Sequence, residues 1–345
     1  MVALDPRQTG TGVDPEEPPH DREHETGNPL RRAFGEHHQL DGRKERGQRQ
    51  GNPSRSYGDA NHYAHDRRIV HTDDFGPSSN RRAPSPTRTA HLLAPPGLGQ
   101  CGAMIEHHLD IPTANGLMNT FITHPEEDGP HPVVLFYMDA PGKREELHDM
   151  ARRLGTAGYY VILPNLYYRS TREFNIFSGD PAMTRDAMFE LMNGLTDDMV
   201  ASDTAALFAH VDADPAADAG RIGCMGYCMS GPFSFAMAGM YPDRIKAAAS
   251  LYGVRLFGDR SPAHLASQVK GELYFACAEH DDYAPKEIID GLTAHLAQAG
   301  TNARVEWYRG THHGFAFPTR GTIYDRAAAE RHWERLHALF ARNLR

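Results

Sequence analysis

Residues 221–242, RIGCMGYCMSGPFSFAMAGMYP, constrain the fold more than any other stretch of this 345-residue chain. A short apolar run (222–225) meets a small-residue-rich apolar stretch through Gly226-Tyr227-Cys228-Met229-Ser230-Gly231. The first part reads as a buried strand and the second as a helix. Glycines around a sharp strand-to-helix turn answer a steric need, because bulky side chains would collide with the crossing backbone. Cys228 then sits at the apex, at a helix N-terminus whose unpaired N–H groups and dipole favour thiolate over thiol. It is therefore a candidate nucleophile. The plain alternative is a structural cysteine buried at a βα junction. Ser230 stands where a second glycine is usual and is a rival nucleophile, but two residues into the helix it turns away from the apex. Cys224, inside the strand, and Cys277, ending another apolar run, read as core residues.

From residue 104 onward short apolar runs alternate with helical stretches, the signature of an α/β fold with a largely parallel central sheet flanked by helices. Strands are expected at 118–123, 133–137, 159–163, 222–226, 247–252, 273–277 and 304–307, on β-branched and aromatic content. Helices are expected at 144–157, as a pair within 181–211, and at 229–240, 286–299 and 325–342. Gly158 and Gly300 supply C-terminal stops. Residues 104–345 thus form one domain.

Residues 1–103 are different: Arg, His, Asp, Glu, Gly, Pro and Ser dominate, with hardly any apolar periodicity. Such a segment cannot bury enough surface to offset its ordering entropy, and it is expected to be a disordered tail. Its histidines (His20, His24, His37, His38, His62, His65, His71, His91) follow no metal-ligand spacing. Met104 is a candidate start of the functional protein, with the upstream part a mis-assigned or dispensable extension.

A net charge of −9 gives no basic bias toward nucleic acid or anionic membranes. No run approaches the ~20 apolar residues that cross a bilayer, and no secretory signal opens the chain. Four scattered cysteines suit a reducing cytoplasm rather than a disulfide or zinc framework. The expectation is a cytoplasmic monomer or small homo-oligomer that needs no metal or organic cofactor and acts on a small molecule.

Members of the α/β-hydrolase fold present nucleophile, acid and histidine in that chain order, the last two on loops after later strands. The order here agrees. After LYFAC comes AEHDDYAP, offering Glu279, Asp281 and Asp282 at a strand's C-terminal end. After RVEWY comes RGTHHGFAFP, offering His312 and His313, of which His313, followed by Gly-Phe, is preferred. His313 would hold the Cys228 proton while Asp281 fixes its tautomer. The oxyanion would be met by the backbone N–H of Met229 and one near Asp139 or Ala140.

PVVLFYMDAPG, GYYVILPNLYYR, GYCMSG, HDDYAP and HHGFAFP together resemble the dienelactone hydrolase (carboxymethylenebutenolidase) family, over nearly all of 104–345. The resemblance implies an α/β-hydrolase that opens a small lactone or activated ester, with Cys228 as nucleophile, His313 as base and Asp281, a better fit to the family spacing than Asp282, as acid. Two positions depart from the family. Its type enzyme pairs the resting cysteine with a glutamate where this chain has Met138-Asp139, and Asp139 is either a shorter substitute or a surface acid. It also holds the substrate carboxylate with arginines, one a few residues past the histidine, where this chain has Phe317. Arg169 is the nearest remaining candidate, and Phe315 and Phe317 suit a more apolar ester. The rivals are a general carboxylesterase or thioesterase on the same triad, and a non-catalytic ligand-binding protein on this fold. A dehalogenase would need aspartate at the apex, and redox sensing by Cys228 lacks a resolving cysteine.

Overall fold

The computed structural model describes residues 104–345, and the expectations for residues 1–103 lie outside the described residues. Eight strands form one sheet: β1 (Met104–Thr113), β2 (Gly116–Pro125), β3 (His131–Tyr137), β4 (Tyr160–Pro164), β5 (Ala217–Tyr227), β6 (Ile245–Leu251), β7 (Glu272–His280) and β8 (Ala303–His312). Their order is β1-β2-β4-β3-β5-β6-β7-β8. The β1–β2 and β2–β4 pairs are antiparallel, and β4 through β8 run parallel. β3 is buried at every residue, as expected of a strand covered on both faces. The sequence reading missed β1. Its middle, Glu106-His107-His108, faces solvent and carries no apolar alternation, and its place is set by the two-residue Ala114-Asn115 turn into Gly116.

The helices are α1 (Glu145–Thr156), α2 (Arg185–Gly194), α3 (Asp197–Ala213), α4 (Ser230–Met240), α5 (Lys286–Gln298) and α6 (Arg326–Leu344). They match the sequence expectations to within two residues at the ends where a boundary was given. Thr184, Thr196 and Asp325 cap α2, α3 and α6 by accepting a backbone N–H. α4 is apolar around its whole circumference and buried from Ser230 to Gly239, which fits its position behind the central strands. The parallel strands end on one edge, and the loops leaving β3, β4, β5, β7 and β8 gather the candidate residues there.

Candidate active site

The turn between β5 and α4 is as tight as its composition requires. Cys228 has a left-handed backbone (φ 55°), a conformation costly for a residue with a side chain and kept only where neighbours enforce it. Those neighbours are hydrogen bonds: Cys228 N–H donates to Leu251 O (3.0 Å), and Cys228 O accepts from Gly231 N (3.2 Å) and Val254 N (3.1 Å). A Cβ on Gly226 would stand 2.2 Å from Ser230 O, and one on Gly231 would stand 2.5 Å from Gly253 Cα. Ser230 fits because its side chain points inward. Its hydroxyl is buried and donates to Met138 O, so it is no accessible nucleophile.

The β7 and β8 loops bring Asp281 and His313 together. Asp281 Oδ2 pairs with His313 Nδ1 at 2.8 Å, and its Oδ1 accepts Tyr283 N–H at 3.0 Å, which fixes the carboxylate plane. Asp282 does not take this place. His312 is exposed, its ring 5.1 Å from that of His280. Burial works against a charged His313, yet Asp281 and the Cys228 sulfur outweigh it and push the ring up to about 10. The contact between Nε2 and the sulfur falls short of a well-formed hydrogen bond, and Nε2 has no other partner. Tyr252 and Tyr283 pack edge-on against the ring at 5.1 and 4.8 Å and restrict its swing. No acceptor among the described residues takes the backbone N–H of Met229 or Asp139, which leaves both free to serve an oxyanion.

Three expected substrate contacts receive other partners. Arg169 forks onto the fully buried Asp203 (2.7 and 2.8 Å), tying the β4 loop to α3, and its charge is spent there. Phe315 is wholly buried between Tyr308, Tyr252 and His332. Phe317 is buried beneath Arg144 and against Tyr227. Both rings pack against Tyr252, whose ring in turn meets that of His313. Asp139 is no surface acid: it forms a buried ion pair with Arg144 (2.6 and 3.2 Å).

Two further residues escaped the sequence reading. Arg144, at the N-cap of α1, lies with its guanidinium 5.1 Å from the Phe317 ring and 5.4 Å from that of Phe177, so a cation stands over the phenylalanine at the position of the missing arginine. Tyr252 has a completely buried hydroxyl with no partner, in the field of Cys228 and Asp139. A tyrosine just past an apolar strand carries no local mark of this placement. The Asp139-to-Arg144 spacing could have suggested the ion pair.

A mostly parallel sheet, a strained apical cysteine on its central strand and an acid–histidine pair on later loops define the α/β-hydrolase class. The sequence profile of the dienelactone hydrolase family matches residues 118–344. A candidate carboxymethylenebutenolidase of Escherichia coli (strain K12) is 28% identical over 244 residues, covering 68% of this chain and 86% of its own. One from Methylorubrum extorquens is 28% identical over 246 residues, covering 69% and 81%. The crystal structure of a candidate dienelactone hydrolase from Klebsiella pneumoniae superposes with a TM-score of 0.62 at 26% identity, covering 69% of this chain and 99% of that one. The chain belongs to the dienelactone hydrolase family and is a carboxylic ester hydrolase.

Proposed function

We propose that the protein hydrolyses a small lactone or activated carboxylic ester through an acyl-enzyme on Cys228, with His313 and Asp281 as its partners. The observation that carries this is the His313 ring, bonded through Nδ1 to the Asp281 carboxylate and lying in the field of the sulfur of a backbone-strained cysteine. His313, held by Asp281, carries the proton while the sulfur attacks the carbonyl carbon as thiolate. The carbonyl oxygen takes the negative charge and is met by the Met229 and Asp139 N–H groups. Collapse breaks the carbon–oxygen bond, and His313 gives its proton to the departing oxygen. Water then attacks the thioester with His313 as base, and the carboxylic acid leaves as thiolate and imidazolium are restored. A thiolate suits substrates whose oxygen departs readily, such as enol lactones.

The test is hydrolysis of p-nitrophenyl acetate and of a dienelactone by the full chain and by Cys228→Ala, Cys228→Ser and Ser230→Ala. Cys228→Ala is expected to lose at least a thousandfold in kcat/KM, with Ser230→Ala keeping a fifth or more. Full activity in Cys228→Ala would remove the nucleophile assignment. A general esterase on the same triad would show no preference for the enol lactone over simple esters.

A further inference from the structure

The loop after β4, helix α2 and the start of α3 line an open cavity of about 520 Å³. This lies within the ~300–1,000 Å³ range of small-molecule sites. Its wall is mostly apolar, formed by Leu166, Phe174, Leu191, Leu195 and Met199 with Ala187. The one wall guanidinium, Arg169, is neutralised by buried Asp203. Glu173 and Glu190 are exposed, at the mouth. Tyr167 also lines the cavity. Its buried hydroxyl donates to Ala140 O (3.0 Å) and lies 3.3 Å from Met229 Sδ, so this side chain links the cavity wall to the two segments that supply the oxyanion donors.

Resting on the hydrolase reading above, we infer that this cavity receives an uncharged alkyl acyl chain of the ester. The sheet order decides acyl against leaving group. The nucleophile follows β5; Asp281 and His313 lie on the β7 and β8 loops, whereas Leu166, Tyr167 and Phe174 of the cavity wall belong to the β4 loop, on the other side of β5 in the sheet, and α2 spans back from there to Arg255 through Asn193. The leaving oxygen must face His313 to receive its proton, which turns the acyl part toward Tyr167. The two acids at the mouth disfavour a chain ending in carboxylate.

The experiment compares kcat/KM for p-nitrophenyl hexanoate and acetate, and for hexyl and ethyl acetate, in the full chain and in Ala187→Trp and Leu195→Trp. Each methylene placed in the cavity is worth roughly a factor of four. The hexanoate-to-acetate ratio is expected to favour hexanoate by at least tenfold in the wild type and to fall by at least tenfold in either variant, while the hexyl-to-ethyl ratio stays put. A chain-length ratio within twofold of unity in the wild type, or one unmoved by both tryptophans, overturns the inference. A shift confined to the alkyl acetates overturns the acyl assignment. Displacement of 1-anilinonaphthalene, an uncharged fluorophore, by octanamide gives a readout independent of turnover. Octanamide competing on the wild type and failing on Ala187→Trp supports the cavity, and no competition overturns it. Loss of all ester hydrolysis would sink the hydrolase reading instead.

Discussion

Arg144 lies between two aromatic faces with its guanidinium shared by Asp139 and Glu146. Burial disfavours its charge, but the two carboxylates more than compensate and hold it firmly protonated. Removing one partner of such a pair leaves the other charge buried alone, which costs roughly 3–5 kcal/mol, whereas removing both costs far less. Arg144→Met is therefore expected to lower the urea midpoint strongly, and Asp139→Asn in the same chain to recover most of the loss. Equal midpoints for the single and double variants would mean the pair is not the source. Glu146, which also bonds Thr319, remains partnered in either case.

At the scale of elements, the β5–α4 turn is the most tightly specified piece of the chain. Gly226→Ala would place a methyl group 2.2 Å from the Ser230 carbonyl, a backbone atom that cannot step aside without moving α4. Steric conflict of this kind is expected to cost about 3 kcal/mol or more and to displace Cys228 from its left-handed conformation. Thermal unfolding together with the rate of thiol alkylation at Cys228 checks this. A variant with unchanged melting and alkylation would show that the turn tolerates a side chain. The hairpin that opens the described residues was readable only in part: Asn115-Gly116 marks a turn, but the polar middle of β1 gave no period-two alternation.

Across the whole molecule, α6 is pinned to the turn by His332, whose Nε2 accepts the Tyr227 hydroxyl (2.8 Å) while Nδ1–H is given to Ala329 O. Burial keeps this imidazole neutral and pushes it down to about 3, far below a histidine in the unfolded chain, near 6.5. As pH falls from about 6.5 toward 3, the unfolded chain takes a proton that the folded one refuses. Stability present at neutrality is lost across that window, at about 1.4 kcal/mol per pH unit. His313 acts in the opposite sense: raised to about 10, it adds stability that is complete below 6.5 and disappears as pH rises toward 10. Melting temperature is thus expected to fall at both ends. The fall between pH 6 and 4.5 should be shallower in His332→Gln, and identical slopes would exonerate this residue. No helix among the described residues is long and apolar enough to cross a membrane.

The parallel sheet, its helices, the turn and the order of Cys228, Asp281 and His313 were all legible in the chain. Each is written in local period, glycine placement or loop position, and local sterics act on neighbouring residues. The partners of Arg169, Asp139, Phe315 and Phe317 were not legible. Each is fixed by groups that meet only after the sheet has set the loops side by side, and burial then decides which charge pairs with which. The sequence alone determined a hydrolase fold with its candidate nucleophile, acid and base. Only the tertiary structure decided what surrounds them: an arginine spent on Asp203, another over Phe317, and an apolar cavity beside Tyr167. Long-range packing depends on shape and desolvation, which no linear spacing records.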